Sequence, residues 1–416
     1  MVKDLPTDSS HSPKTRNAFI ISRILDTPFW VIFNMLPFII YKDLHATPLQ
    51  LAVITALKPL SSIFSMYWSA LVNNRPDRLI PNIIWGGVLR HLPFFFFPFV
   101  DNPWYFVAAF GFHMMLSRGA QPAWMEILKM NIPGVRREKV FAYGTALAYS
   151  GTTILPFALG PLLDGYFEAW RWIFPATALI SLLAIFWQWR IPISFNEKES
   201  SEKTKFNSKL IAPWKEAYRL VSSRSDFARF QIAFMFGGAG LIIIQPALPI
   251  YFVDVLNLSN TELAVAITTF KGIGFAVTSP LWANWMNRVN IYRFTSLVTV
   301  LACLFPLCVL MSHHNIAWLY LGYLGYGIMQ AGSQLSWHLS GPIFSQNEDS
   351  SVYTSVNVAT AGIRGCFAPV LGSLLCSLAG ASPVLLFGTV LCLIATQRLS
   401  AYSKSEKTTL STKTAI

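Results

Sequence analysis

The chain has 416 residues, of which 53% are hydrophobic and only 12% are charged, whereas a soluble domain averages about 25% charged residues. This composition excludes an ordinary water-soluble enzyme and is typical of an integral membrane protein. The net charge of +12 is no sign of nucleic-acid binding, because the basic residues concentrate in loops that would face anionic lipid.

Apolar runs fill most of the chain, and a membrane-spanning helix needs roughly 20 mostly apolar residues. Runs of this kind, numbered here as spans 1 to 12, cover residues 17–41, 50–73, 79–100, 104–129, 139–163, 170–193, 229–253, 261–286, 291–312, 316–342, 352–378 and 382–401. We predict an all-α membrane protein with twelve transmembrane helices in two six-helix halves.

A charged linker separates spans 6 and 7 and sets the domain organisation. The predicted segments are a tail at 1–16, a first half at 17–193, the linker at 194–228, a second half at 229–401 and a tail at 402–416. If both tails and the linker are cytoplasmic, only two of the lysines and arginines in the loops and at the span ends, Lys42 and Arg171, fall on the opposite side. Cytoplasmic loops are rich in lysine and arginine, so we predict this orientation, in a plasma or bacterial inner membrane and without a cleaved signal peptide.

An internal repeat relates the two halves. The stretches "RGAQPAW" at 118–124 and "AGSQLSW" at 331–337 share glycine, glutamine and tryptophan at an offset of 213 residues, and the same offset relates Lys58 to Lys271. The small residues predict close helix packing. Gln121 and Gln334 need polar partners at this depth, either on neighbouring helices or on a bound solute.

Four short motifs lie in or beside spans 2 to 6, and one of them has a copy in the second half. They are a loop 2–3 motif at Ala70, Asn74, Arg75, Asp77 and Arg78 with a fainter copy at Ala283, Asn287, Arg288 and Asn290; Arg118-x-x-Gln121 in span 4; "PFALGPLLDG" at 156–165; and "WRWIF" at 170–174. In this order they resemble the major facilitator superfamily, and the resemblance covers residues 17–401. The third motif resembles the family's antiporter motif, although Pro156 and Asp164 depart from it.

The resemblance implies a secondary transporter that acts as a monomer, with two halves rocking around a cavity near the membrane midplane. It also implies that Asn74, Arg75, Arg78, Asn287 and Arg288 belong to a gating loop motif, although asparagine replaces the family's aspartate in both copies. The sequence contains no phosphate-binding loop, nucleophile triad or metal-ligand pattern. We therefore expect no enzyme activity, cofactor or metal, and no nucleic-acid partner.

Ionisable side chains within the spans are the main candidates for function. Leaving aside histidines and the charges counted with the loops, the candidates are Arg23, Asp26, Lys58, Arg90, Arg118, Glu126, Lys271 and Arg364. A charge at the centre of a spanning helix costs at least about 2.5–3.5 kcal/mol, so these side chains should face the protein interior or water. The basic excess predicts an anionic or zwitterionic small solute.

The substrate candidates are Lys58, Lys271, Arg118 and Arg364, with the two glutamines of the repeat. The alternative for each lysine is a snorkelling side chain or a carbonyl partner within its own half. Asp26 is either the protonation site of a proton-coupled cycle or the partner of Arg23, three residues earlier.

Two other functions fit the sequence less well. A multidrug/proton antiporter is favoured by the partial antiporter motif and the many aromatic residues, but its substrates usually require buried carboxylates. A non-transporting membrane sensor on the same fold would be expected to carry a cytoplasmic output domain, which the tail at 402–416 does not provide.

Overall fold

A computed structural model gives the structure of the chain and describes residues 11–72, 76–132, 134–166, 168–192, 215, 218–286, 288–345 and 350–414. In these residues the regular elements are helices, and none is a strand. The predicted all-α architecture is therefore confirmed.

The helices follow the predicted spans. Those of spans 1 to 6 are His11–Leu44, Pro48–Val72, Leu79–His91 with the 3-10 segment Leu92–Phe99, Pro103–Asn131, Gly134–Ile154 with Pro156–Gly165, and Trp170–Leu182 with Ile185–Gln188. Those of spans 7 to 12 are Ser225–Ile243 with Ala247–Ile250 and the π-helical Tyr251–Val255, Asn260–Ala264 with the π-helical Val265–Phe270 and Lys271–Met286, Ile291–Met311, Ala317–Ser345, Ser350–Ala379, and Ala381–Thr414.

Seven helical stretches in the described part of the chain are long and apolar enough to cross a membrane. They are His11–Leu44, Trp170–Gln188, Ser225–Val255, Asn260–Met286, Ile291–Met311, Thr360–Ala379 and Ala381–Lys404. The structure is thus that of a multi-pass membrane protein, and the count of twelve spans stays a prediction.

The chain divides into two compact units. Unit A comprises Met1–Ala46, Ser61–Thr204 and Ser259–Ala264, and unit B comprises Thr47–Leu60, Lys205–Leu258 and Val265–Ile416, as far as these ranges are described. The start of span 2 therefore packs with unit B, and the start of span 8 packs with unit A. The predicted linker at 194–228 lies mostly outside the described residues, and the five-segment division stays a prediction.

The core of unit A is largely aromatic, and a buried arginine lies at one end of it. The rings of Phe33 and Phe110 stack at 4.5 Å, among several further phenylalanines. Arg171, in the "WRWIF" motif, donates hydrogen bonds to the carbonyl of Val100 at 2.9 Å and to Glu168 at 2.9 Å. This buried guanidinium fixes the loop before span 4 to the start of span 6.

The core of unit B is also fixed by an arginine at one end. Arg224, just before span 7, donates to the Tyr353 hydroxyl at 3.0 Å and to the Phe344 carbonyl at 3.0 Å. Deeper in the unit, the Gln231 amide donates to Asn357, which in turn donates to the Ser340 hydroxyl at 2.9 Å. These bonds connect span 7 to spans 10 and 11.

The repeated glycines pack against tryptophans in both units. A Cβ atom added to Gly119 would lie 3.2 Å from the Trp68 ring, and one added to Gly332 would lie 3.1 Å from the Trp282 ring. The two tryptophans are separated by almost the same offset as the glycines. The prediction of close packing at these glycines is confirmed.

The start of span 8 carries a capping box. Glu262 accepts hydrogen bonds from the backbone N–H and hydroxyl of Ser259 at 2.9 and 2.8 Å, and the Ser259 hydroxyl accepts from the Glu262 N–H at 3.2 Å. This reciprocal pair satisfies donors that a helix N-terminus otherwise leaves unpaired.

Asp164, just beyond the end of predicted span 5, caps the same helix start. Its carboxylate accepts from the backbone N–H groups of Asn260 at 2.7 Å and Thr261 at 2.9 Å, and from the Thr261 hydroxyl at 2.6 Å. Burial raises the pKa of Asp164, but these hydrogen bonds outweigh burial and lower it below its usual value. A Cβ atom added to Gly160 would lie 2.7 Å from the Thr261 backbone, so this part of the antiporter-like motif serves local packing.

Candidate functional site

Two lysines from different sequence halves meet in unit B. Lys58 lies in Thr47–Leu60 and Lys271 in Val265–Ile416, and their ammonium groups are close enough to interact electrostatically. Both side chains are half-buried. Like charges repel strongly away from bulk water, so a bound anion would stabilise this arrangement.

The backbone around Lys271 departs from a regular α-helix. The π-helical segment Val265–Phe270 ends immediately before it, and the regular helix Lys271–Met286 then begins. Such π turns are frequent at functional sites. Here the change of helix type occurs at the residue that carries the charge.

The helix that carries Arg364 packs closely against the helix that carries Lys58. A Cβ atom added to Gly365 would overlap the Pro59 ring, and these residues directly follow Arg364 and Lys58 in sequence. Spans 2 and 11 are therefore in contact beside these two positions. Lys58, Lys271 and Arg364 all belong to unit B.

The Arg364 guanidinium sits on an aromatic surface. It lies 5.4 Å from the centre of the Phe234 ring and 5.8 Å from that of Trp337, and Nη1 donates to the Phe234 carbonyl at 3.3 Å. Within the described residues its buried Nε has no hydrogen-bond partner. An added Cβ at Gly238 would overlap the guanidinium, so only glycine leaves room for this position.

Acidic residues are scarce in the spans of unit B. Outside Ser259–Ala264, which belongs to unit A, the predicted spans that contribute to unit B carry no aspartate or glutamate, and Asp226 and Asp254 lie near the two ends of the span 7 helices. Gln334 lies in the same unit, one helical turn before Trp337, and its side chain is exposed. The arrangement can attract a carboxylate or phosphate group and offers an amide nearby.

The other two substrate candidates lie in unit A. Arg118 and Gln121 are both exposed and three residues apart on the helix Pro103–Asn131, so they share a face. The structure therefore does not gather all predicted site residues into one cluster, and the role of this pair stays a prediction.

Asp26 forms an ion pair with a residue of span 3. Its Oδ1 lies 2.9 Å from Nη2 of Arg90, and Nη1 of Arg90 donates to the Ser117 hydroxyl at 3.3 Å. Arg23, the partner considered from sequence spacing, lies over the Phe19 ring at 5.2 Å. Among the described residues, the ion pair of Asp26 joins two spans rather than two turns of one helix.

Two buried histidines complete this cluster. Nδ1 of His91 lies 2.7 Å from the Gly87 carbonyl, and Nδ1 of His113 lies 3.2 Å from the Arg90 carbonyl. Because a carbonyl only accepts, both Nδ1 atoms carry hydrogen. In a neutral His91, the lone pair of Nε2 then lies 3.4 Å from Oδ1 of Asp26, and two such acceptors repel each other. A proton shared by Nε2 and Oδ1 would make this contact attractive.

The model of the Major Facilitator Superfamily matches residues 18–342 and 232–413. The chain belongs to the major facilitator superfamily. This assignment confirms the resemblance drawn from the four motifs, and with it a membrane transporter of small solutes. No curated protein sequence matches the chain.

Solved transporters of this superfamily share the fold. A POT family transporter in complex with 5-aminolevulinic acid has a TM-score of 0.73 at 14% identity, covering 95% of this chain and 97% of that one. The nucleoside transporter NupG has a TM-score of 0.70 at 12% identity, covering 93% and 98%. A bacterial homolog of the human lysosomal transporter Spinster, inward-facing and unoccupied, has a TM-score of 0.65 at 13% identity, covering 95% and 98%. At these identities the likeness shows the fold alone.

The superfamily's loop motif is only partly described. Asn74, Arg75 and Asn287 lie outside the described residues, whereas Arg78 and Arg288 are described and exposed. The predicted gating role of this motif in this superfamily member stays a prediction.

Sequence reasoning missed three features of the site. It did not bring Arg90 and His91 to Asp26, because contacts between helices leave no local spacing signal. It did not place His113 in this cluster either, for the same reason. The third is the pair Trp68 and Trp282. The separation of these two residues in the sequence is almost the same as that of the repeated glycines, and this signal could have identified them.

Proposed function

We propose that this superfamily member is a secondary transporter that moves a small anionic or zwitterionic solute by alternating access, with coupling to protons. The observation that carries the proposal is the pair Lys58 and Lys271, whose ammonium groups interact within unit B, the unit that also contains Arg364. In this proposal the cations bind an acidic group of the solute. The aromatic surface of Trp337 and Phe234 beside Arg364 contacts its apolar part.

Proton coupling is proposed to use a separate cluster in unit A. Asp26 is held by Arg90 and faces the Nε2 atom of His91, so a proton taken up by Asp26 would weaken its ion pair with Arg90. A change in that pair alters the contact between spans 1 and 3. This gives protonation a direct structural consequence, which a coupling site requires.

A similar fold is known to hold a zwitterion. The POT family transporter named above was solved with 5-aminolevulinic acid, which carries an amine and a carboxylate. This supports a solute of that size and charge for the present chain. The carboxylate would interact with the lysines, and the exposed amide of Gln334 offers a hydrogen-bond partner.

Uptake into proteoliposomes tests the solute class. The purified transporter would be given labelled monocarboxylates, phosphorylated solutes, zwitterionic amino acids and lipophilic cations, with and without an imposed pH gradient. We expect accumulation of an anion or zwitterion that depends on the gradient. Accumulation of lipophilic cations alone would instead support the multidrug/proton antiporter.

The Asp26→Asn variant separates coupling from binding. It should abolish gradient-driven accumulation and retain counterflow exchange, which requires no net proton movement. Lys129→Gln is the matched surface control, since Lys129 is 64% exposed at a helix end. Normal accumulation by Asp26→Asn would show that Asp26 is only a structural partner of Arg90.

The proposed orientation has both tails and the 194–228 linker in the cytoplasm, in the plasma membrane or a bacterial inner membrane. The support is the placement of lysine and arginine, with only Lys42 and Arg171 on the outer side. Reporter fusions after residue 210 and at the C-terminus should both report a cytoplasmic location. Reports from opposite sides would contradict the six-plus-six arrangement.

A further inference from the structure

A groove of about 490 Å³ lies among spans 2, 3 and 4 of unit A. Its lining includes Trp68, Arg78, Asn82, Trp85, Leu89 and Leu116. The volume falls within the range of roughly 300–1,000 Å³ that is usual for sites holding one ligand. The substrate and proton clusters described above contribute none of these residues.

The side chains of span 3 in this groove change from polar to apolar along the helix. Arg78, Asn82, Trp85 and Leu89 recur at the spacing of one helix face, with the charge at the end that the lysine and arginine bias assigns to the cytoplasm. At 1.5 Å per residue Leu89 lies about 16 Å deeper than Arg78. This is close to half the roughly 30 Å hydrocarbon thickness of a bilayer.

The groove is open toward the surface of the unit. Trp85 is 61% exposed and Leu89 is 38% exposed. Gly86 also lines the groove, and it lies against span 4, where an added Cβ would be 3.6 Å from the Ala120 Cβ. A long apolar group could therefore lie along the helix against these side chains.

We propose that this groove binds one anionic phospholipid of the cytoplasmic leaflet, with its phosphate on Arg78 and an acyl chain along Trp85 and Leu89. The neighbouring Asp77 is exposed but does not line the groove, so the charge presented to the headgroup is that of the guanidinium. Asn82, one turn deeper, is placed to donate to the glycerol ester. Charge, amide and apolar positions therefore follow the order of groups in a phospholipid.

Native mass spectrometry of the delipidated transporter tests this site. The probes are phosphatidylglycerol and phosphatidylcholine with the same acyl chains, titrated separately. Both lipids carry the phosphate, but the choline ammonium of phosphatidylcholine offsets its negative charge and would lie near the Arg78 guanidinium. We therefore expect one phosphatidylglycerol to bind with an affinity about tenfold above that of phosphatidylcholine. Equal affinities for the two lipids would overturn the proposal.

Pairs of variants, one inside and one outside the groove, test whether the lipid binds there. Arg78→Gln should weaken phosphatidylglycerol binding about tenfold, whereas Arg293→Gln, which removes an exposed arginine at the start of span 9, should not. Leu89→Trp should block the acyl part of the groove, and Leu92→Trp, at a 48% exposed position outside the lining, should not. An equal effect of both arginine variants, or no effect of Leu89→Trp, would overturn the proposal, whatever solute the protein transports.

Discussion

Breaking the Asp26–Arg90 ion pair should destabilise unit A in a way that a double-mutant cycle can measure. The two side chains are 14% and 19% exposed and their closest atoms are 2.9 Å apart. Removal of one partner from a buried pair typically costs about 3–5 kcal/mol. Because both groups keep some exposure and Arg90 keeps its bond to Ser117, we expect about 2–3 kcal/mol for each single change.

The assay is the apparent Tm of the purified protein in detergent for Asp26→Asn, Arg90→Gln and the double variant. At about 2–4 °C per kcal/mol, each single variant should lower Tm by roughly 4–12 °C. The double variant should be clearly less destabilised than the sum, because neither charge is then left unpaired.

The exposed pair Glu126–Lys129 is the matched control for this cycle. Its closest atoms are 3.3 Å apart, and its side chains are 30% and 64% exposed, so its coupling should not exceed about 1 kcal/mol. A coupling between Asp26 and Arg90 as small as that of the control pair would refute the buried ion pair.

Three further changes follow from individual contacts. Arg171→Gln should lower Tm by several degrees, because the carbonyls and carboxylates that this buried guanidinium contacts lose their donor; an unchanged Tm would contradict this. Gly238→Ala should displace Arg364 and weaken solute binding while most of the fold survives; unchanged binding would remove Arg364 from the site. The lowered pKa of Asp164 means that its contribution to stability is present at neutral pH and is lost as pH falls below about 4 through that lowered pKa. The Tm difference between wild type and Asp164→Asn should therefore shrink from pH 7 to pH 3, and a constant difference would contradict the capping role.

The architecture was predictable because the bilayer imposes strong constraints on composition. Apolar runs of the length that a bilayer requires predicted the helices, and the four motifs carried the resemblance to the family. The division into two six-helix halves stays a prediction. Close packing at Gly119 and Gly332 followed from the internal repeat, and the structure confirms it on the rings of Trp68 and Trp282.

The partners of the charged residues were not predictable in the same way. Asp26 has Arg23 at a helical spacing, but its ion pair is with Arg90 on another span. Likewise, nothing local indicates that Thr47–Leu60 packs with unit B, which is what brings Lys58 to Lys271. Such contacts depend on how helices pack in three dimensions, and a single sequence carries no record of that.

The central claim is that Lys58 and Lys271 bind the acidic group of the solute. The direct test is equilibrium binding, to purified protein, of the anion that accumulates best in the uptake panel, with Lys58→Gln, Lys271→Gln, the double variant and the Lys129→Gln control. Each single change should weaken binding at least about tenfold, or ~1.4 kcal/mol, the value of one modest charge-assisted contact. Without ligand, Tm should stay equal or rise, because the change removes repulsion between two ammonium groups. Unchanged affinity in the double variant would contradict the claim.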